Sequence, residues 1–251
     1  MEAFFQFSAF ELGLMGLCSF LGSFMSASFG FGGGLFLMLI FPYFMPITLA
    51  VPLHAFVQLA SNTGRCYLLR SHIKFKPAIL FGIGSLIGAL IPAAFIMEMP
   101  ERMLSMILVI FIMVILWFPL PPVSEKLGHK LLPGAGFASG FSGMFIGASG
   151  FFINVILRTF HWDRRDYTAT AAFGMMMNHI TKIIGFMVAG VVLTPYIPFM
   201  LLMSFIGFAG TWCGRHLVLE KLSNERFYSL MKVLLSILAL RLALKAFGVW
   251  V

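Results

Sequence analysis

The stretch Leu12–Gly64, LGLMGLCSFLGSFMSASFGFGGGLFLMLIFPYFMPITLAVPLHAFVQLASNTG, decides the fold. It holds no Asp, Glu, Lys or Arg. A membrane-crossing helix needs about 20 mostly apolar residues, so this stretch is too long for a single crossing. Gly30, Gly32, Gly33 and Gly34 interrupt it, and Pro42 and Pro46 interrupt it again. We read one broken unit over Leu12–Phe41 and a second unit over Thr48–Leu69. Further apolar blocks follow near Ala78–Met97, Met103–Leu120, Leu131–Leu157, Tyr167–Gly190, Pro195–Gly214 and Phe227–Phe247. The total is about eight helical units, the pattern of an all-α integral membrane protein.

Composition excludes the soluble alternatives. Of the 251 residues, 60% are hydrophobic and only 10% are charged, against about 25% charged in a soluble domain. Hydrophobicity runs along the whole chain, which predicts a single membrane domain over residues 1–251. The net charge of +8 lies mostly in short loops between apolar blocks. That is the distribution that orients membrane proteins and touches anionic lipid, and it points away from nucleic acid. Cys18, Cys66 and Cys213 show no metal-binding spacing and are expected as free thiols. The opening Met1-Glu2-Ala3-Phe4 has no basic leader and no small-residue cleavage site, so the first apolar block reads as a retained helix.

The chain repeats itself. With Gly34 aligned to Gly150, Asn62 falls on Asn178 and Ala55 on Ala171, all offset by 116. Ser85-Leu86-Ile87-Gly88 then matches Ser204-Phe205-Ile206-Gly207, and Glu101-Arg102 with Ser105 matches Glu225-Arg226 with Ser229. We place one repeat over about residues 9–120, a linker over 121–130 and a second repeat over about 131–248. Loop charge changes sides between them. Arg65, Arg70, Lys74 and Lys76 follow the second unit, whose counterpart has only Lys182. Conversely, Pro42–Ala50 has no basic residue, whereas its counterpart has Arg158, Arg164 and Arg165. Likewise Arg102 stands against Arg215, Lys221 and Arg226. Such a swap is the signature of inverted repeats. Inversion needs an odd number of crossings per half, met if each glycine-broken unit is a helical hairpin followed by three spans. Arg241 and Lys245 sit awkwardly in this scheme, since they would approach the outer side.

Candidate chemistry gathers at the breaks. Unwound backbone is tolerated at membrane depth only inside protein or beside a watery cavity. A helix restarting there offers free N–H groups and a positive dipole end. Gly32, Gly33, Gly34, Gly147, Ser149 and Gly150 are therefore candidate anion contacts; close helix packing is the competing explanation for the glycines. Asn62 and Asn178 lie deep in apolar spans, where an amide needs a partner. They are either substrate ligands or interhelical hydrogen-bond partners. His54 and His179 are intramembrane and are candidates for lining the cavity or relaying protons, with packing as the alternative. Arg65 and Lys182 lie about one turn beyond the two asparagines; we favour Lys182 as the anion-attracting cation and read Arg65 as snorkelling to the interface. No span carries a central Asp or Glu, so a carboxylate relay is not visible. Trp117, Trp162 and Trp250 read as interfacial belt residues.

The run Gly30-Phe31-Gly32-Gly33-Gly34, its diverged copy Gly147-Ala148-Ser149-Gly150, and the paired Asn62 and Asn178 resemble the TauE/SafE family of sulfite exporters. The resemblance spans nearly the whole chain. It implies a multi-pass permease of bacterial inner membranes that exports sulfite, an organosulfonate or another small anion. It carries over the glycine breaks and the asparagines as site residues. Ala148 and Ser149 depart from the glycine run, and a proline usual after the first break appears only at Pro42, which bears on the substrate.

The expected partners are a small anionic solute and the lipid bilayer; a homodimer is compatible with such a carrier, and no cofactor or metal is expected. Two other classes compete. Gly147-Ala148-Ser149-Gly150 also resembles the nucleophile motif of rhomboid proteases, with Ser149 as nucleophile and His179 as base. The repeat sets Gly33, not a serine, opposite Ser149, and a dyad does not explain duplication. A non-transporting scaffold would have no polar cavity at mid-membrane.

Overall fold

The computed structural model describes residues 7–29, 32–118, 123–217 and 224–249. Gly30 and Phe31 of the first glycine run, Lys221 and Trp250 lie outside them, as do the side chains of Arg215, Glu225 and Arg226. The described chain is all helical: α1 (Ala9–Phe29), α2 (Gly33–Ile40), α3 (Ile47–Leu68), α4 (Phe75–Ala93), α5 (Glu101–Trp117), α6 (Glu125–Ile146), α7 (Phe151–Leu157), α8 (Arg164–Val188), α9 (Ile197–Leu217) and α10 (Asn224–Ala246). The two broken units are thus α1 with α2 and α6 with α7. Helix α6 begins six residues inside the stretch expected as a linker, after Ser124 and with Glu125 in its first turn.

Four helices have the length and apolarity to cross a membrane: Ala9–Ser28, Phe75–Ala93, Arg164–Val188 and Thr194–Gly214. Large apolar side chains point outward, with Phe205 75% and Leu230 70% exposed. In water such a surface would drive association; against lipid chains it is matched.

Local sequence sets the helix starts. Ser8 and Glu11 form a capping box: the Glu11 N–H donates to Ser8 Oγ at 3.2 Å, and the Ser8 N–H donates to the Glu11 carboxylate at 2.8 Å. The Asp163 carboxylate accepts from the Asp166 N–H at 2.7 Å and caps α8. The Glu101 carboxylate accepts from the Ile47 N–H at 2.5 Å, capping α3 from another helix.

Glycines bring two helix pairs into backbone contact. A Cβ on Gly84 of α4 would lie 2.0 Å from the Pro133 carbonyl oxygen of α6, and one on Gly136 of α6 would lie 2.0 Å from that of Phe81. Gly88 and Gly140 repeat the contact one turn on. Helices α9 and α1 pack alike, through Gly210 against Phe20 and Gly214 against Phe24. These are small-xxx-small seams, the main way helices associate where lipid removes a hydrophobic drive.

Both breaks turn the chain back on itself. The Ser139 hydroxyl of α6 donates to the Ser149 carbonyl at 2.9 Å. Farther back along α6, Gly128 abuts Thr159 and Phe160 just beyond α7, so α7 returns along α6. Gly33 presses on the Gly22 backbone, and Leu14 and Cys18 share a cavity wall with Ile40 and Tyr43, so α2 returns along α1. Helices α3 and α8 pack at the centre and run in opposite directions. The segment after α3 is tied to the start of α8: Asp166 pairs with His72 at 2.9 Å and with Lys74 at 2.8 Å. The Lys74 N–H also donates to Thr170 at 3.0 Å. Arg241 and Lys245 find a local role at the other end. The Lys245 ammonium donates to the Pro42 carbonyl at 2.8 Å and the Tyr43 carbonyl at 3.2 Å, and Arg241 lies 5.1 Å from the centre of the Tyr43 ring. Cations there answer the carbonyls that end α2. None of Cys18, Cys66 and Cys213 is paired.

Candidate functional site

Helix α3 supplies a polar ladder. His54, Gln58, Asn62 and Arg65 follow at spacings of four, four and three residues, which stacks them on one helix face. Facing them is the start of α2. Gly32, at φ +98°, turns the chain into that helix, and its carbonyl accepts from the Phe36 N–H at 2.9 Å. Gly34 leaves the ladder uncovered: a Cβ there would come within 3.3 Å of Gln58 Nε2 and 3.7 Å of His54 Nε2. Helix α8 closes another side with Ala171, Met175 and His179, again four apart. The second break contributes Ala148, Gly150 and Asn154.

These elements enclose a cavity with room of about 80 Å³ for the centres of water-sized molecules. One water needs roughly 10–15 Å³ on that measure, so the space suits several waters or one small solute. Its lining is rich in unpaired polar atoms. His54 Nδ1 and Nε2, Gln58 Nε2, Arg65 Nε and His179 Nδ1 are buried without a hydrogen-bond partner, and each neutral imidazole offers one donor. Leaving a buried polar group unpaired costs about 1–3 kcal/mol, so these groups need partners from water or a solute in the cavity. Among the described residues Arg65 brings the only formal charge to the lining, and no carboxylate lines the space. The His54 and His179 rings meet edge to face, with centroids 6.0 Å apart.

The structure divides the sequence candidates into two groups. Gly32, Gly34, His54, Asn62, Gly150 and His179 line this cavity. Gly33, Gly147, Ser149, Asn178 and Lys182 do not. Gly33 is packed on Gly22 and Ser26. Gly147, at φ +66°, ends α6, and its carbonyl accepts from the Lys182 ammonium. Lys182 is fully buried in that role, and Arg65 is the cation at the cavity. The Asn178 amide donates to Ser85 Oγ at 2.6 Å and Ser139 Oγ at 3.2 Å, while its oxygen accepts from Ser149 Oγ at 3.2 Å. Among the described hydrogen bonds none joins Ser149 to His179, so the protease dyad is not formed; the serine hydroxyl is spent on Asn178.

Gln58, Ser26 and Asn154 are cavity residues that sequence reading passed over. The ladder spacing running back from Asn62 was the signal for Gln58. Asn154 is held by the Tyr167 hydroxyl, which donates to its side-chain oxygen at 3.0 Å. Elsewhere, ligand atoms of His72, Asp163 and Asp166 lie within 4.8 Å of one another. Lys74 and the α8 cap already engage those carboxylates, so the cluster reads as a strap between helices.

A family model described as sulfite exporter TauE/SafE matches residues 15–242. No curated protein and no solved structure gives a significant match.

Proposed function

Because the chain belongs to the TauE/SafE family of sulfite exporters, and is therefore a multi-pass membrane transporter and not an enzyme, we propose that it exports sulfite or a small organosulfonate across the inner membrane through the cavity between α2, α3 and α8. The observation that carries this reading is the convergence of unpartnered donors from His54, Gln58, Arg65 and His179 on a space without a carboxylate. An oxyanion presents acceptors to all of them, and a guanidinium fork matches it well. A cation would meet Arg65 with nothing to offset it. The start of α2 adds its N-terminal dipole beside Gly34.

Alternating access of two inverted halves, about residues 9–120 and 131–248, is the mechanism we propose. Helix packing supports it. Exchanging the halves maps α1 on α6 and α4 on α9, and the close pairs are α1 with α9 and α4 with α6. The same exchange maps α3 on α8, which run oppositely, as inverted repeats require. Export of a monovalent anion from an interior-negative cell gains about 2.3 kcal/mol per 100 mV, so no coupling ion is required. Asn62 orients Arg65, accepting from its Nη2 at 2.7 Å.

The test is flux of radiolabelled sulfite in proteoliposomes with and without an imposed potential. Potential-driven flux that Gln58→Ala and Asn62→Ala reduce, from protein that still folds, supports the reading. Potential-driven flux untouched by both substitutions removes the site assignment. Absence of sulfite flux from folded protein removes sulfite and moves the screen to organosulfonates.

A further inference from the structure

Arg65 lines a second cavity as well. This one has room of about 280 Å³ and lies where α3 ends and α8 begins, walled by Arg65, Arg164, Arg165, Thr168 and Thr211 with apolar neighbours. Three guanidinium groups and two hydroxyl-bearing side chains meet there, and among the described residues no carboxylate lines it. The nearby described acids are occupied: Asp166 by His72 and Lys74, Asp163 by the first turn of α8. Arg164 is fixed in place, donating to the Ser28 carbonyl at 2.6 Å. Arg165 is exposed and has no partner among the described residues.

We propose that this cavity is a second oxyanion site, a staging site from which Arg65 passes the anion inward. The geometry rests on one residue with two contacts. Arg65 Nη2 holds Asn62 in the central cavity, Nε is buried and unpartnered, and the same side chain forms part of the outer wall. An anion bridged by Arg164, Arg165 and Arg65 therefore reaches the central donors by moving along one guanidinium, without crossing an uncharged gap. The basic residues Lys74, Arg158, Arg164 and Arg165 gather at this end, and positive charge marks the cytoplasmic face. The staging site thus sits where an exporter loads. Clustered positive charge in a walled space raises the local anion concentration, and salt screens it. This inference rests on the anion-carrier reading and adds a second site to it.

A lipid headgroup phosphate shares this chemistry, so the test separates it from a free anion. Equilibrium binding of radiolabelled sulfite is measured on the full chain in neutral detergent at low and high salt, for the wild type, Arg165→Gln and Asn62→Ala. Two classes of binding are expected in the wild type. Arg165→Gln weakens only the salt-sensitive class, by about tenfold, and Asn62→Ala, which releases Arg65, weakens the other class more than the salt-sensitive one. A single class, or two classes that Arg165→Gln leaves unmoved, overturns the staging site while an Asn62-sensitive class leaves the carrier reading standing. Displacement of the salt-sensitive class by added phosphatidylglycerol makes the lipid headgroup the occupant and also overturns it. No binding of either class overturns both readings.

Discussion

Asn62 and Asn178 align with each other in the proposed duplication, yet the fold gives them opposite employment. Asn62 makes one bond to its own helix, donating to the Gln58 carbonyl at 2.7 Å, and turns its oxygen to Arg65 at the edge of a cavity. Asn178 is satisfied by Ser85, Ser139 and Ser149, drawn from α4, α6 and the second break. The difference arises from the neighbours. On α8, His179 and Met175 face the cavity, and Asn178, one residue round, faces the glycine seam of α4 and α6. One asparagine therefore holds Arg65 at a cavity wall, and the other locks three structural elements together. The residue type is the same, but a turn of about 100° between successive helix positions decides what that residue meets.

That contrast can be broken or sharpened by substitution. The largest effect belongs to Arg65→Gln, which removes the one charge among the described lining residues. Charged hydrogen bonds contribute about 1.5–3 kcal/mol, so sulfite flux should fall on the order of 10- to 100-fold with the thermal midpoint little changed. Undiminished flux would take the anion elsewhere. Asn178→Ala comes next. It strands the Ser149 hydroxyl and takes one bond each from Ser85 and Ser139, which keep Thr181 and the Ser149 carbonyl, and the expected loss is about 1–3 kcal/mol of stability, read as a lower melting temperature in detergent. Flux per folded molecule should persist. Should Asn178→Ala melt like the wild type but stop transport, the division of labour drawn here is wrong.

Asn62→Ala is the mirror experiment. Arg65 loses its positioning partner, so flux should drop about tenfold, equivalent to about 1.4 kcal/mol, with only about 0.6 kcal/mol lost in stability. Equal thermal shifts for the two asparagines would erase the contrast. The smallest effect is expected from Ser149→Ala, which deletes a single 3.2 Å bond to Asn178. About 0.5–1.5 kcal/mol of stability and unchanged flux per folded protein are the expected results in a melting curve and a transport assay.

Much of the fold was legible before any coordinates. Helical class follows from apolar runs that leave backbone groups no partner but their own helix, and the breaks follow from Gly32 and Gly147, whose positive φ suits glycine. Of the candidates, Gly32, Gly34, His54, Asn62, Gly150 and His179 come from separate segments to line one cavity, and Gly33, Gly147, Ser149, Asn178 and Lys182 do not. The choice between Arg65 and Lys182 was not legible. Both follow an asparagine by about one turn, and sequence distance cannot say which helix faces which. Lys182 meets the carbonyl that ends α6 and is spent there; Arg65 meets open space and another cavity beyond it. Local patterning alone was enough for a membrane-embedded helical chain, because hydrophobicity and helix-breaking residues act locally. Only the tertiary structure decided which polar groups stay unpaired, because pairing depends on the rotation and packing of helices far apart in the chain.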